Sequence, residues 1–304
     1  MKKKYVILIV VVLALALVGY FVFPGLVLKV SINTSRKAAG LEQKTVKVGD
    51  HDIVYLEGGS GETVLMVHGF ASNKDFWTSF AQFITPAYHV IALDVPGFGE
   101  STYLENASYK ITDQVERLNQ FVDALGLQKF HIVGNSMGGV IAAKYAILFP
   151  DRVITLGLFD SGGVSSPEQR ELMSSAEPSP LFFETVEGFD RMLYYVFSKP
   201  PDIPLFIKKL FVRNAQKSIN VNRRISGQLE SQKVSLEPDL QKIKMHTLVL
   251  WGDQDRLIDV SCVQVFQNGL PNCTAVIMKD CGHVPMVERP QETAEHYLTF
   301  LKSK

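Results

Sequence analysis

Short runs of consecutive apolar residues, each about as long as one strand, recur along the chain and constrain its fold more than any other feature. Runs that are apolar at every position are typical of strands buried on both faces of a sheet. Helix-like segments separate most of them, and this alternation predicts an α/β fold with a mostly parallel sheet and helices on both faces. The six runs are 64–67, 90–93, 130–133, 153–159, 248–251 and 275–278, and their polar side chains are those of His131 and Thr155.

Two regions depart from the alternation. The segment from Thr45 to Leu56, with Gly49–Asp50 at its centre, predicts an antiparallel hairpin at the edge of the sheet. Between residues 161 and 240 the prolines cluster and the apolar residues fall at helical spacing, which predicts an inserted helical cap. The core of the domain is therefore expected to comprise residues 44–160 and 241–304.

The N-terminus carries a long apolar run. Three lysines at positions 2–4 precede residues 5–28, which are uncharged and mostly apolar. This length suits a hydrocarbon layer of about 30 Å and predicts a single-pass transmembrane anchor, followed by a polar linker at 29–43. The lysines favour an N-terminus in the cytoplasm, and we expect the folded domain on the non-cytoplasmic side of the membrane. A basic start and an apolar middle also fit a cleaved signal peptide, which would make the protein secreted.

Charge balance and cysteine spacing argue against a nucleic-acid partner, a disulfide framework and a structural metal. The chain has 31 Lys and Arg residues against 31 Asp and Glu residues, so its net charge is zero, which argues against a nucleic-acid partner. Cys262, Cys273 and Cys281 lack the spacing of a zinc site, and we expect neither a disulfide framework nor a structural metal. The cysteines are expected to serve as small buried apolar residues.

A candidate nucleophile lies in the segment Gly134-Asn-Ser-Met-Gly138. A predicted strand precedes this segment and a predicted helix follows it, which is the context in which G-x-S-x-G forms a nucleophile elbow. The glycines give the tight turn room beside Ser136. The pattern therefore predicts that Ser136 attacks an electrophilic carbon.

A serine hydroxyl becomes a good nucleophile only when a neighbouring base takes its proton. His283 follows the last predicted strand and precedes the C-terminal helix, so it lies on a loop at the carboxyl edge of the sheet. Ser136 emerges at that same edge. We therefore expect His283 to be the base among the seven histidines.

The base needs an acid that orients it, and three aspartates qualify. Asp255 follows a strand that ends at Gly252, and a short loop can direct it toward His283. Asp253 and Asp160 also lie after strands and also fit the chain order Ser, Asp, His. Asp255 is the preferred acid, and Asp160 is the principal alternative.

An oxyanion intermediate needs preorganised donors, usually two backbone N–H groups. Met137 N–H follows the nucleophile directly. Phe70 N–H is expected to be the second donor, because His68-Gly-Phe70 follows the first core strand and Gly69 lets the backbone approach closely. His68 is expected to brace this loop rather than to transfer protons.

These motifs together resemble a known family. The chain is similar to the α/β-hydrolase monoacylglycerol lipases with one N-terminal membrane helix, and to related bacterial lipases and esterases. The resemblance implies a Ser136–Asp255–His283 triad, oxyanion donors at Phe70 and Met137, lipid ester substrates, and no metal or organic cofactor. It rests on residues 67–70, 73–77, 94–99, 134–139, 251–256 and 281–290.

Other functions remain open at this level. Hydrolases that cleave carbon–carbon bonds in aromatic ring-fission products share parts of the pattern, but they typically have Trp directly after the histidine, where this chain has Val284. A short-chain esterase and a non-catalytic binding protein are further alternatives. Haloalkane dehalogenases and epoxide hydrolases need an aspartate in place of Ser136.

Overall fold

The computed structural model describes residue 5, residues 24–174 and residues 179–303. Within these residues the strands are β1 (Leu41–Val48), β2 (His51–Gly58), β3 (Thr63–Val67), β4 (His89–Leu93), β5 (Phe130–Asn135), β6 (Val153–Phe159), β7 (His246–Gly252) and β8 (Cys273–Met278). The helices are α1 (Pro24–Ala38), α2 (Thr78–Ile84), α3 (Ile111–Ala124), α4 (Met137–Leu148), α5 (Pro167–Ser174), α6 (Val186–Val196), α7 (Leu205–Gln232), α8 (Cys262–Gly269), α9 (Pro285–Glu288) and α10 (Pro290–Lys302).

The eight strands that the structure describes form one sheet in the order β1-β2-β4-β3-β5-β6-β7-β8. The pairs β1–β2 and β2–β4 are antiparallel, and every other pair is parallel. The predicted hairpin is confirmed: Val48 pairs with His51, and β1 lies at the sheet edge. The predicted α/β fold with a mostly parallel sheet is therefore confirmed.

The strand side chains alternate between two apolar layers. Val64 and Met66 of β3 face a layer formed with helices α2 and α10. Leu65 and Val67 of the same strand face a layer formed with helices α3, α4 and α8. Both faces of the sheet are thus covered, which explains why the central strands are mainly apolar on both faces.

The parallel register aligns the carboxyl ends of the central strands. Val67 at the end of β3 pairs with Gly134 of β5, and Asn135 pairs with Phe159, the last residue of β6. Phe159 in turn pairs with Leu250 of β7. The loops that follow these strands therefore emerge at one edge of the sheet, which is where ligands bind in open α/β sheets.

The N-terminal part of the chain differs from the predicted linker. Residues 29–43 were expected to be a polar linker, but the chain is helical up to Ala38 and enters β1 at Leu41. The reason is a tertiary contact: Arg36 Nη2 donates to Asp75 Oδ2 at 2.7 Å, and the two residues are 39 positions apart. Local composition cannot reveal a partner at that distance.

The predicted membrane anchor falls mainly on residues 6–23, which lie outside the described residues. Within the part of the chain that the structure describes, no helix has both the length and the apolar character needed to cross a bilayer. The anchor therefore stays a prediction.

The chain leaves the alternating pattern between β6 and β7, in the region predicted to be a cap. Helices α5, α6 and α7 occupy this segment, and a 3-10 turn at Glu237–Lys242 leads into β7. Phe189, Leu193 and Val212 form a small apolar cluster between α6 and α7. The apolar patches predicted in this region therefore serve first to pack its helices together.

Candidate active site

Ser136 lies in the turn between β5 and α4, where the backbone adopts an uncommon conformation. Its φ is 55° and its ψ is −120°, a combination that L-residues rarely adopt. The turn leaves no space for side chains: a Cβ on Gly134 would lie 2.1 Å from the carbonyl oxygen of Gly138, and a Cβ on Gly138 would lie 2.1 Å from that of Val67. Ser136 N–H donates to Phe159 O at 3.1 Å. This is the sharp strand-to-helix turn that a nucleophile elbow requires.

His283 and Asp255 are hydrogen-bonded to each other at the same sheet edge. The distance from His283 Nδ1 to Asp255 Oδ2 is 2.7 Å, and both residues are buried. The other oxygen, Asp255 Oδ1, accepts from the N–H groups of Leu257 at 2.8 Å and Ile258 at 3.0 Å. Because the carboxylate can only accept, His283 carries its proton on Nδ1 and leaves Nε2 free to take one.

The other two candidate acids have different partners. Asp253 Oδ1 accepts from the backbone N–H of Cys281, at 3.4 Å. Asp160 Oδ1 accepts from Gly252 N–H at 3.0 Å. Among the described residues, Asp255 is thus the aspartate that is hydrogen-bonded to the His283 ring.

Asp160 nevertheless lies beside this pair. One carboxyl oxygen from Asp160, one from Asp255 and one ring nitrogen of His283 lie within 4.8 Å of one another. This spacing could also hold a metal ion. The sequence predicts neither a metal nor a cofactor, and that stays a prediction.

Asn135 connects the elbow to the histidine loop. Its Nδ2 donates to His283 O at 3.0 Å and to Phe159 O at 3.1 Å. Within the described residues, Ser136 Oγ and the His283 ring are not hydrogen-bonded to each other. Such bonds are often long before substrate binds. The structure thus joins the two loops through the residue that precedes Ser136.

The loop after β3 lies directly against the elbow. A Cβ on Gly69 would lie 3.2 Å from the Ser136 Cβ, so the backbone approaches the nucleophile closely there. Phe70 follows Gly69 in this loop, and Met137 is the first residue of α4. Their N–H groups therefore belong to two segments that adjoin Ser136, one through the close approach of Gly69 and the other directly along the chain.

His68 holds this loop in place and is buried. Its Nδ1 lies 2.7 Å from Gly69 O, and its Nε2 accepts from Val95 N–H at 2.9 Å. Burial lowers the pKa of His68, although the nearby Asp94 opposes this effect. The ring is therefore neutral, with its proton on Nδ1, and both nitrogens are hydrogen-bonded to backbone groups.

Comparison with known proteins adds to this geometry. Residues 62–290 match the family defined by the alpha/beta hydrolase fold. The chain belongs to the α/β-hydrolase fold family. This match spans most of the sheet and all the loops that carry the candidate site.

Named relatives narrow the activity. Lipase 1 of Psychrobacter immobilis is 36% identical over 276 residues, which cover 88% of this chain and 87% of that lipase. Monoacylglycerol lipase ABHD6 of Homo sapiens is 32% identical over 301 residues, which cover 94% of this chain and 89% of that protein. The crystal structure of a membrane phospholipase A, described as a bacterial virulence factor, superimposes with a TM-score of 0.89 at 42% identity, over 99% of this chain and 98% of that one. This α/β hydrolase is a carboxylic ester hydrolase.

In this hydrolase a buried ion pair supports the loop after β3. Lys74 Nζ donates to Asp94 Oδ2 at 2.8 Å, and Lys74 N–H donates to Asp94 Oδ1 at 2.7 Å. Lys74 also contacts Glu100, at 2.6 Å. Removing one member of such a buried pair leaves an uncompensated charge and costs about 3–5 kcal/mol. Sequence analysis did not find this pair, because its members are 20 positions apart.

The helical segment between β6 and β7 is tied to the loops that carry Asp255 and His283. Arg256, which follows Asp255, donates from Nη1 to Tyr194 O at 2.6 Å and to Phe197 O at 2.9 Å, at the end of α6. His283 N–H donates to Val196 O at 2.8 Å. The carboxyl end of α6 therefore contacts the loops that carry Asp255 and His283.

Glu288 completes this attachment. Its Oε2 accepts from Gly282 N–H at 2.8 Å and from Ser198 N–H at 3.2 Å, and its Oε1 accepts from Lys199 N–H at 3.0 Å. We refer to the contacts of Arg256 and Glu288 with residues 194–199 as the α6 clasp. Neither Arg256 nor Glu288 was assigned a role from the sequence. The available signal was their position, because Arg256 directly follows Asp255 and Glu288 lies on the short helix α9.

Proposed function

We propose that this α/β hydrolase cleaves lipid esters with Ser136 as nucleophile, His283 as general base and Asp255 as orienting acid. The observation that supports this most is the 2.7 Å hydrogen bond between His283 Nδ1 and Asp255 Oδ2. Asn135 in addition ties the His283 loop to the elbow. The N–H groups of Phe70 and Met137 are the proposed oxyanion donors, because their segments border Ser136.

The proposed reaction proceeds through an acyl-enzyme. Ser136 Oγ attacks the ester carbonyl while its proton passes to His283 Nε2, and the carbonyl oxygen becomes an oxyanion held by the two N–H groups. The imidazolium, stabilised by Asp255, then protonates the departing alcohol. Water repeats the sequence on the acyl-enzyme, with His283 taking the proton of water and returning it to Ser136, and releases the carboxylic acid.

A lipid substrate is supported by the relatives and by the aromatic surroundings of the proposed site. The relatives named above are a lipase, a monoacylglycerol lipase and a membrane phospholipase A. The Phe70 ring lies 5.5 Å from the Phe98 ring and 5.7 Å from the Phe182 ring of the helical segment, centroid to centroid. We infer that residues 161–240 form a cap over the site and that the preferred ester carries one medium or long acyl chain, as in a monoacylglycerol.

The proposed location is a membrane. Residues 5–28 would form a single-pass N-terminal anchor, with the hydrolase domain on the non-cytoplasmic side. The similarity to a membrane phospholipase A over 99% of this chain supports membrane association. Cleavage of the segment, which would release a secreted enzyme, predicts instead that mature protein lacks residues 5–28.

One experiment tests the proposed chemistry and substrate together. Purified full-length protein is treated with a fluorophosphonate probe and assayed on monoacylglycerols with acyl chains of increasing length. We expect covalent labelling at Ser136, and a loss of turnover on the order of 10⁶-fold in Ser136→Ala. Failure of the wild type to react with the probe would contradict the proposal. A steady decline from acetyl or butyryl upward would favour a short-chain esterase.

A further inference from the structure

Asp160 is a buried acid for which the mechanism above has no use. It follows β6, it has no solvent exposure, and its φ is 45°. Its Oδ1 accepts from Gly252 N–H, whereas Oδ2 has no N–H or O–H donor among the described residues. A carboxylate buried with one donor and no cation pays a large desolvation cost. Its protonation state therefore needs an explanation.

The groups around Asp160 favour a neutral carboxyl. Burial raises the pKa of Asp160 well above its usual range, the negative charge of Asp255 raises it further, and Glu288 adds to the effect. Its other titratable neighbours are His283, within 4.8 Å, and the buried thiol of Cys281. Within the described residues, no Lys or Arg side chain forms an ion pair with Asp160. Among the described residues, Gly252 N–H is therefore the one hydrogen-bond donor that stabilises a charge on Asp160.

The two adjacent aspartates differ in how many donors they receive. Asp255 accepts from Leu257 N–H, from Ile258 N–H and from His283 Nδ1, so its charged form is well solvated by the protein. Asp160 accepts from one N–H group. When two carboxyl groups share one site, the one with fewer donors keeps the proton. Of the two carboxyl groups, Asp160 is therefore the one whose surroundings favour the neutral form.

We propose that Asp160 is a positioning residue whose protonated carboxyl, held through Oδ1 by Gly252 N–H, donates a hydrogen bond from Oδ2 to the Asp255 carboxylate. The proton stays on Asp160, and the bond limits rotation of Asp255 away from His283. This inference rests on the proposed triad. From the sequence, Asp160 was only an alternative to Asp255 as the acid. In this proposal Asp160 instead supports Asp255.

The matched variant is Asp160→Asn. Asparagine keeps the shape, tolerates a positive φ, accepts from Gly252 N–H through its oxygen, and can donate to Asp255 through its nitrogen. It is also neutral, as Asp160 is proposed to be. Asp160→Gly also tolerates the positive φ but removes the donor.

The test measures kcat and KM between pH 5 and 9 for full-length wild type and both variants in detergent micelles. We expect Asp160→Asn to keep wild-type kcat and the same acid limb, because no charge changes near His283. Asp160→Gly should lose about 10- to 100-fold in kcat with KM nearly unchanged, since a misplaced triad group impairs the chemical step. Proton NMR should show the downfield His283 Nδ1–H signal in wild type and Asp160→Asn, and a weakened signal in Asp160→Gly.

Three results would overturn the proposal. If Asp160 is an anion, Asp160→Asn removes a negative charge from beside His283, and the acid limb moves down by about a unit or more. If Asp160→Asn instead loses as much kcat as Asp255→Asn, Asp160 acts as the triad acid itself. Asp160→Gly with unchanged kcat and an unchanged signal would also contradict the role.

A direct measurement keeps this inference separate from the proposed activity. The infrared difference spectrum between wild type and Asp160→Asn at neutral pH should contain the C=O band of a protonated carboxylic acid. Absence of this band contradicts the inference even when the enzyme is active. A wild type that neither hydrolyses esters nor reacts with the fluorophosphonate contradicts the proposed function, and the infrared spectrum still tests Asp160.

Discussion

At the scale of single residues, the candidate site depends on positions where only one kind of side chain, or no side chain, fits. Gly134 and Gly138 have no space for a Cβ, and Ser136 adopts a φ that L-residues seldom tolerate. Asp255 accepts through both oxygens, and His68 uses both ring nitrogens on the backbone. These requirements explain why the motifs are recognisable in the sequence.

The first prediction at this scale concerns the acid. Asp255→Asn preserves the shape of the side chain but replaces an acceptor with an amide, so His283 loses the group that holds its proton on Nδ1. We expect kcat to fall by about 10⁴-fold, the loss known for the equivalent change in the serine protease triad, with little change in melting temperature. Ester hydrolysis and thermal unfolding measure the two effects. Wild-type turnover in this variant would remove Asp255 from the triad.

At the scale of elements, helix α6 is attached to the loops that carry Asp255 and His283 through backbone groups at its carboxyl end. The α6 clasp joins residues 194–199 to the segment that carries Asp255 and to the segment that carries His283. A displacement of α6 would therefore move the loops of Asp255 and His283, the proposed acid and base. The α6 clasp thus links the helical segment directly to the candidate site.

The second prediction tests the α6 clasp with Glu288→Gln. The amide keeps one oxygen and loses the charge, so at least one of the three N–H donors loses its acceptor. A hydrogen bond to a charged group contributes about 1.5–3 kcal/mol, and we expect a lower melting temperature, faster proteolysis near residues 194–199 and reduced kcat.

The matched control is Glu292→Gln on the neighbouring helix α10. Glu292 is more than a third exposed and pairs with Arg289 at the surface. Such pairs contribute little, so stability and kcat should stay near wild type. Equal effects of the two variants would show that the α6 clasp has no special role.

At the scale of the whole molecule, the sheet gathers loops that are far apart in the chain. The parallel register brings the ends of β3, β5, β6 and β7 to one edge, and each contributes a residue discussed above. The two apolar layers on either side hold this register, because a slip by one residue would exchange the faces of every strand.

The third prediction concerns the stability of the fold against acid. Burial lowers the pKa of His68 below its usual value of 6.5, so in this range the unfolded chain binds a proton that the folded chain does not. Stability is therefore retained above pH 6.5 and lost as the pH falls below it, by at most about 1.4 kcal/mol per pH unit from this group. Thermal unfolding between pH 5 and 8 measures the slope.

His68→Gln should reduce that slope, because glutamine does not titrate. His296→Gln is the matched control: His296 lies on α10 with 40% of its side chain exposed, and the change should leave the slope as in wild type. An unchanged slope in His68→Gln would mean that other groups govern the acid response.

Sequence alone determined the features that depend on local spacing. Runs of mainly apolar residues predicted the sheet strands, and the Gly49–Asp50 pair predicted the hairpin. The motif around Ser136 predicted a strand–turn–helix with no room for side chains. These predictions succeed because burial on two faces and steric exclusion act within a few residues of the chain.

Tertiary structure decided which distant groups meet. Chain order left Asp253, Asp255 and Asp160 as candidate acids. In the folded chain Asp255 is hydrogen-bonded to His283, and Asp160 is buried beside this pair. It also replaced the predicted linker at 29–43 with a helix and a strand and formed the α6 clasp. Hydrogen bonds and desolvation act over a few ångströms between residues tens of positions apart, and only the folded chain defines those distances.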